Sequence, residues 1–355
     1  MKKFILSFVI NFSILIVSSC SFKDHNIQSH NCKYVGQTWV IDSKTDTYIS
    51  KYTYDSNIDL EDSGFPRQMN SIYTTFTGDS AKLVVLSSEQ KNYSYKYDED
   101  GFLIQTRFFK LFHQNTGGFS YNNSPTLVNA KIEQVETTDF QYEFNLLKTA
   151  VTKDVTTVTS DNAAPIVTSI ISTKSYTYDT NGIAQMAKEV FNNNQTVITS
   201  FSGGAIFSSN RSDVNGTVIS TSTYNKHGRI TSDKFNETEY ISAYDQNDNL
   251  ISVKMMYKGK LQNQYDFNYD NQPNPETLIP IYFKGIPIPM RNLYTSDGSN
   301  NLIRSKFTSY QNDYTSEENI TYTYNSSGLP LSSVLKNIAY TADSKLTTYK
   351  YKDCL

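Results

Sequence analysis

The stretch Tyr95-Lys96-Tyr97-Asp98-Glu99-Asp100-Gly101-Phe102-Leu103-Ile104 reads as a strand, a turn and the start of a second strand. The rings of Tyr95 and Tyr97 lie on one face of an extended chain, because successive side chains point to opposite faces. Asp98 can accept hydrogen bonds from backbone N–H groups that follow it and so begin a turn. Gly101 accepts a positive φ that a Cβ would penalise. Because residues 102–104 are apolar and can form a return strand, the stretch predicts a β-hairpin.

The same phrase recurs along the chain, which predicts a fold of repeated hairpins. Further copies occupy residues 176–183, 223–230, 244–251 and 322–329, and 267–273 is a degenerate copy with Pro273 in place of the glycine. The turn positions are Asp98, Gly101, Asp179, Gly182, Asn225, Gly228, Asp245, Asn325 and Gly328. A lone hairpin is marginal in water, so the hairpins must pair side by side. We therefore expect residues 34–355 to form an all-β domain, a large antiparallel sheet of consecutive hairpins curled or rolled into an open barrel-like shape.

The composition agrees with an all-β chain. There are 27 Tyr and 20 Phe but one Trp, and Tyr, Phe, Thr, Val and Ile favour strands. The pattern predicts long strands over 139–160 and 164–178 with a turn at 160–165, and shorter strands at 51–54 and 83–86. Five prolines in 273–289 predict a rim loop or a boundary between sheet segments. The net charge is −3 and no basic cluster occurs, so no nucleic-acid partner is expected.

The first 20 residues, MKKFILSFVINFSILIVSSC, have the layout of a secretory signal. The apolar run 4–17 is shorter than the roughly 20 residues that span a bilayer. An ordinary signal peptide with a cysteine nearby by chance is one interpretation. However, Val17-Ser18-Ser19-Cys20 resembles the lipobox of bacterial lipoproteins. This resemblance implies a signal peptide over 1–19, acylation of Cys20 with chains such as palmitate, and a polar tether over 20–33.

The chain as a whole resembles the YD-repeat lipoproteins of Bacteroidota. The lipobox, the hairpin copies, the segment YDNQPNP at 269–275 and the end YKYKDC at 349–354 carry this resemblance. The repeats are similar to those of the Rhs family, and the lipoproteins include a family of unknown function with a rolled, porin-like sheet. The resemblance implies a cell-envelope protein anchored to the outer membrane by lipid, on the surface or the periplasmic face. It implies no ligand.

Two cysteines remain if Cys20 carries lipid. Cys32 and Cys354 stand at the two ends of the expected domain, and export exposes them to an oxidising compartment. A disulfide between them would fasten the first strand to the last and, in the chain-entropy model, would stabilise the fold by about 5 kcal/mol. The alternative is two separate thiols.

Motifs for catalysis, metals and cofactors are missing from the sequence. The histidines are isolated, and neither a nucleophile elbow nor a phosphate-binding loop occurs. The turn acids Asp98, Asp179, Asp245 and Asp270 could form a glycosidase pair in space. Turn initiation already explains an acid at this position, because Asn225 and Asn325 serve there without ionising. We therefore expect no enzyme, no metal site and no cofactor.

Two ladders of rings are the surfaces best suited to binding. Tyr93, Tyr95 and Tyr97 form one, and Tyr265, Phe267 and Tyr269 form the other. Such rings can pack inside a rolled sheet, or form a groove that stacks on sugars or apolar ligands. The leading hypothesis is a lipid-anchored, non-enzymatic envelope protein with a structural or binding role, whose partner is an envelope protein or a glycan. The alternatives are an accessory protein that binds glycans or apolar ligands through exposed tyrosines, and a glycan-acting enzyme. Exposure of the ladders separates the first two.

Overall fold

The computed structural model describes residues 33–44, 49–60, 66–79, 82–114, 118–119, 127–278, 298–337 and 344–352, and within these residues 20 strands form one antiparallel sheet. The first half contains β1 (Lys33–Lys44), β2 (Ile49–Leu60), β3 (Pro66–Asp79), β4 (Lys82–Tyr97), β5 (Leu103–Gln114), β8 (Lys131–Glu143), β9 (Leu146–Ser160), β10 (Ala163–Tyr178), β11 (Ala184–Phe191) and β12 (Thr196–Ser202). The short strands β6 (Gly118–Phe119) and β7 (Leu127–Val128) pair separately.

The second half of the sheet contains β13 (Ala205–Ser212), β14 (Val218–Tyr224), β15 (Ile230–Phe235), β16 (Thr238–Tyr244), β17 (Leu250–Tyr257), β18 (Lys260–Pro273), β19 (Asn300–Ser309), β20 (Tyr314–Tyr324), β21 (Pro330–Asn337) and β22 (Ser344–Lys352). A short 3-10 helix, Pro275–Leu278, follows β18 and contacts β1. Among the described residues, no helix has both the length and the apolar character that a membrane span requires.

The sheet is a closed ring of hairpins. Each strand pairs antiparallel with its neighbour in sequence, with β5 pairing to β8, and β1 pairs with both β2 and β22. The register of the closing pair runs from Lys33↔Lys352 to Asp42↔Ser344. The predicted all-β sheet of consecutive hairpins is therefore confirmed. It is closed rather than open, and closure removes the unpaired sheet edges that favour aggregation.

One predicted strand is in fact two. The segment 139–160 turns back at Phe144 and Asn145, whose φ values are +52° and +63°, so β8 ends and β9 begins inside it. A two-residue turn with positive φ at both positions suits the twist of a hairpin. The prediction was wrong here because a phenylalanine rarely adopts positive φ and gives no turn signal. The predicted turn at 160–165 is shorter, because β10 already begins at Ala163.

The core lies on one face of the sheet, which we call the inner face. Its buried cluster includes Met69, Tyr95, Leu103, Leu147 and Tyr176. Side chains that point the other way are mostly polar or short, with scattered apolar exceptions. On β4 and β10 they include Asn92, Ser94, Lys96, Thr173, Ser175 and Thr177. This alternation follows from the period of two along each strand.

The strands differ in length around the ring. Strands β1–β5 and β8–β10 have 12 to 16 residues, whereas β11–β17 have six to eight. The hairpin of β9 and β10 therefore extends beyond β11, whose pairing with β10 begins at Ser172↔Phe191. We call β1–β5 and β8–β10 the long-strand half.

Candidate functional site

The side-chain oxygens at the repeat turn positions accept hydrogen bonds within their own turns. Asp98 Oδ1 accepts the backbone N–H of Asp100 at 3.0 Å and of Phe102 at 2.8 Å. The same two bonds form at four further turn residues: Asp179, Asn225, Asp245 and Asn325. Strands alternate in direction, so all five turns lie at one end of the sheet, which we call the repeat end. An amide oxygen and a carboxylate oxygen make the same bonds, so the geometry requires an acceptor and no charge.

A further copy of this turn was missed in the sequence. Asp213 Oδ1 accepts the N–H groups of Asn215 and Thr217, each at 2.9 Å, and Gly216 has a φ of +81°. The strand before it ends in Ser212 and carries no tyrosine, so it does not match the aromatic part of the phrase. The Asp-x-Asn-Gly spacing alone would have found it. This turn lies at the opposite end of the sheet.

Among the described residues, seven tyrosine hydroxyls each fasten a hairpin to the one before it. Each hydroxyl donates to a backbone carbonyl near the start of the neighbouring strand. The pairs are Tyr97 to Pro66 (2.9 Å), Tyr142 to Leu103 (2.8 Å), Tyr178 to Leu147 (2.6 Å), Tyr244 to Ile230 (3.0 Å), Tyr269 to Leu250 (2.9 Å), Tyr322 to Leu302 (3.0 Å) and Tyr351 to Pro330 (2.8 Å). Burial raises the pKa of Tyr142 and Tyr178 above the usual value, so these phenols remain donors.

The first ring ladder belongs to the core. Tyr95 is 7% exposed, and the Tyr93 ring packs on Phe108 with 4.6 Å between centroids. Tyr97 is held by its bond to Pro66, and Tyr269 by its bond to Leu250. These four tyrosines are therefore placed for packing rather than for stacking on a ligand.

Tyr265 is the exception among the predicted stacking residues. It lies on the inner face of β18 and is 42% exposed. Its ring is 4.8 Å from Phe307 on β19 and 6.3 Å from Phe267, with which it is parallel to within 5°. Phe307 in turn lies 6.3 Å from Tyr314, which is 40% exposed. We call Tyr265, Phe267, Phe307 and Tyr314 the aromatic strip.

Polar groups border the aromatic strip. Ser305 faces Phe267 in the register of β18 and β19, and it faces Glu318 in the register of β19 and β20. Its hydroxyl donates to Glu318 Oε2 at 3.2 Å. The strip therefore combines accessible rings with an acceptor at one margin, which is the combination that a stacked polar ligand requires.

Charged side chains on the inner face form local ion pairs. Glu89 lies 2.7 Å from the Lys91 ammonium and 2.8 Å from that of Lys110. Burial favours a raised pKa for Glu89, but hydrogen bonds from the two lysines outweigh it and lower the pKa. Lys174 pairs with Glu189 at 2.9 Å in the same way. These charges are compensated, as buried charges generally must be.

Asp270 departs from the repeat and links the end of β18 to β19 and to the end of β20. Its Oδ1 accepts the N–H of Gln272 at 2.9 Å and of Asn301 at 3.1 Å, and its Oδ2 accepts the Tyr324 hydroxyl. Asn249 Nδ2 bridges Asp245 Oδ2 at 2.9 Å and the side-chain oxygen of Asn300 at 3.0 Å. Sequence reasoning did not identify Asn249 and Asn301 as functional residues. The one signal for Asn249 was its place in the repeat, since the first two copies have the apolar Phe102 and Ile183 at that position.

Within the described ranges, no three His, Cys, Asp or Glu side chains stand close enough to hold a metal ion. His227 Nδ1 lies 3.5 Å from Asp248 Oδ2 of the next turn. His25, His30 and the three cysteines, Cys20, Cys32 and Cys354, lie outside the described residues, as do the signal peptide and the polar tether up to residue 32. The lipid anchor at Cys20, the tether and the disulfide between Cys32 and Cys354 therefore stay predictions.

Comparisons with known proteins find only solved structures of low similarity to this chain. Neither protein-family models nor curated proteins give a match. A porin-like protein from Bacteroides uniformis is 12% identical with a TM-score of 0.34, over 90% of this chain and 98% of that one. A porin-like protein from Bacteroides vulgatus is 10% identical with a TM-score of 0.24, over 90% and 99%. The crystal structure of TcdB2-TccC3-TEV is 10% identical with a TM-score of 0.26, over 82% and 22%. Values this low assign the chain to no family.

Proposed function

We propose that this chain is a lipid-anchored, non-enzymatic cell-envelope protein that binds a glycan chain through the aromatic strip. One observation carries the binding role. Tyr265 is 42% exposed on the face whose other predicted stacking tyrosines are packed or hydrogen-bonded to the backbone. A ring that contributes little to the core and remains accessible is suited to a ligand.

The polar outer face of the sheet supports the proposal that the β domain lies in water and is joined to the membrane by the tether. Its side chains are mostly hydroxyls, amides and lysines, such as Ser94, Lys96 and Thr173. Burying such groups in hydrocarbon without hydrogen-bond partners costs several kcal/mol each. Membrane attachment therefore falls to the acyl chains on Cys20. Two or more such chains anchor stably, at about 0.8 kcal/mol per buried CH2.

The anchor is tested by replacing Cys20 with Ser. Cys20→Ser should move the protein from the membrane fraction to the soluble fraction, and mass spectrometry of the wild-type N-terminus should find acyl groups on Cys20. Cys32→Ser is the matched control, because it removes a cysteine but keeps the lipobox. Membrane retention of Cys20→Ser equal to that of the control would exclude the lipid anchor.

A carbohydrate suits the strip better than a purely apolar ligand. Sugar rings present C–H faces that stack on aromatic side chains and hydroxyls that need hydrogen-bond partners. The strip supplies the faces of Tyr265 and Phe307, and Glu318 supplies carboxylate oxygens at its margin. A purely apolar ligand would use the ring faces but would place no hydrogen-bonding group against the Glu318 oxygens.

The strip is tested by titrating a panel of soluble polysaccharides into the protein by calorimetry. Tyr265→Ala should weaken binding about tenfold, which corresponds to ~1.4 kcal/mol. Tyr310→Ala is the matched control, because Tyr310 is 54% exposed but does not belong to the strip. Equal losses in the two variants, or no binding of any polysaccharide by the wild type, would contradict the glycan role. Binding of a fluorescent apolar probe that Tyr265→Ala abolishes would favour the apolar ligand instead.

A further inference from the structure

Two carboxylates face each other across β8 and β9. Glu136 and Asp154 are direct partners in the antiparallel register, on the inner face of the long-strand half. Side chains directly opposite in such a pair have Cβ atoms about 4.5–5.5 Å apart, and like charges there repel. Neither acid initiates a turn or belongs to the aromatic strip, so nothing described above accounts for them.

The neighbouring charges do not neutralise this pair. Lys110 of β5 binds Glu89 of β4 at 2.8 Å, and Lys174 of β10 binds Glu189 of β11 at 2.9 Å. Arg211 of β13 donates to Gln195 at 2.7 Å. On the two strands that flank β8 and β9, Phe108 of β5 is opposite Glu136 and Ile170 of β10 is opposite Asp154. Neither residue carries a charge.

One oxygen of the pair lacks a hydrogen bond. Asp154 Oδ2 accepts from Gln134 Nε2 at 2.9 Å, whereas Asp154 Oδ1 is buried and has no donor. A buried acceptor without a donor costs about 1–3 kcal/mol. A protonated carboxyl on Glu136 would supply the missing donor and remove one of the two facing charges.

We propose that Glu136 and Asp154 share one proton, taken up from solvent, and form a pH-sensitive clamp between β8 and β9. Burial raises the pKa of both carboxyls, and for Glu136 the charges of Asp154 and Glu189 raise the pKa further. Raised values in the folded state mean that folding binds protons. The clamp's contribution is fully present below the ordinary carboxyl pKa and is lost as pH rises through the raised folded pKa.

The clamp is tested by thermal unfolding at two pH values, one close to the ordinary carboxyl pKa and one in the alkaline range. Glu136→Gln places a neutral donor opposite Asp154. It should raise the melting temperature relative to the wild type at the higher pH, and this advantage should shrink at the lower pH. Glu133→Gln, on the outer face of β8, should show no such pH-dependent difference. Glu89→Gln should lower the melting temperature at both pH values, because the pKa of Glu89 is lowered and its charge is needed at both.

An infrared measurement on the wild-type protein does not depend on how well a variant folds. As the pH is lowered toward the ordinary carboxyl pKa, the infrared spectrum of the wild-type protein should gain a protonated-carboxyl band before the other carboxylates titrate. This band should be absent in Glu136→Gln and in Asp154→Asn. A wild-type spectrum without that band would overturn the proposal. So would a Glu136→Gln variant whose melting temperature falls by the same amount at both pH values.

Discussion

At the scale of single residues, Gly36 allows the ring to close. Its φ is +133°, and a Cβ at this position would overlap the backbone carbonyl oxygen of Ser56. The register of β1 and β22 shifts between Tyr34 and Gly36, which marks a bulge. Beside it, Ser56 Oγ accepts the N–H of Gln37 at 3.0 Å. Lys350 is opposite Gly36 in the register, and its ammonium donates a hydrogen bond to Asn57 Oδ1 at 3.1 Å.

Replacing Gly36 with Ala should therefore destabilise the closing pair. The expected loss is at least about 1–3 kcal/mol in the free energy of unfolding, because backbone strain and a clash with main-chain atoms act together. Gly101→Ala is the matched control, since Gly101 has a φ of +81° but its new methyl group would meet no neighbouring atom within 4 Å. It should lose only about 1 kcal/mol, the conformational penalty. Denaturant titration measures both, and equal losses would refute the clash at Gly36.

The turn acids provide a second prediction at the residue scale. Asp179 Oδ1 accepts the N–H groups of Asn181 at 2.9 Å and Ile183 at 2.8 Å. Asp179→Ala should lose about 1 kcal/mol for these bonds, whereas Asp179→Asn should stay within about 0.5 kcal/mol of the wild type. Urea unfolding of the two variants tests this difference. If Asp179→Asn is as damaging as Asp179→Ala, then the turn requires the negative charge as well as the acceptor.

At the scale of elements, the tyrosine bonds join one hairpin to the next. A lone hairpin is marginal, so bonds from the end of one strand to the start of its neighbour support the whole series. Tyr178 makes the shortest of them, 2.6 Å to the carbonyl of Leu147, a residue with no exposed surface. The bond therefore satisfies an acceptor on a buried residue that lies far from Tyr178 in sequence.

Replacing Tyr178 with Phe keeps the ring and removes only the hydroxyl. The expected loss is about 1–3 kcal/mol, because the Leu147 carbonyl is then left without this donor. Tyr257→Phe is the control, since Tyr257 is 43% exposed and its ring lies beside water. Chemical denaturation should give a clear loss for Tyr178→Phe and little change for Tyr257→Phe. A neutral Tyr178→Phe would mean that these bonds add nothing to stability.

At the scale of the whole molecule, closure brings together the chain positions beside two cysteines. Lys33, which directly follows Cys32, pairs with Lys352, which precedes Cys354 by two positions. Both cysteines lie outside the described residues, and their disulfide stays a prediction. It would close a loop of most of the chain, which the chain-entropy model values at about 5 kcal/mol.

Peptide mapping of the exported, membrane-anchored protein without reductant should recover a peptide that links Cys32 to Cys354. Cys32→Ser, Cys354→Ser and the double variant should then lose the same stability, because each breaks the same bridge. Reductant should lower the stability of the wild type but not that of the double variant. Free thiols at both positions in the oxidised protein would instead support two separate cysteines.

Local chemistry made the hairpins predictable from sequence. Five residues determine such a turn: it begins with an aspartate or asparagine, contains a glycine and ends at the first apolar residue of the next strand. All the hydrogen bonds of the Asp98 turn lie between residues 98 and 102. Alternation of rings and polar residues likewise determines which side chains share a face. The turn at Phe144 and Asn145 could not be predicted in this way, because a phenylalanine occupies its first position and no glycine follows Asn145.

The sequence by itself determined the all-β class, the hairpin units and the turn residues. Only the tertiary structure decided that β1 meets β22, that Tyr95 is buried while Tyr265 is exposed, and that Glu136 faces Asp154. These outcomes depend on pairing between strands and on the packing of side chains from several strands. Such pairing sums many weak contacts between residues far apart in the chain, so no short motif encodes it.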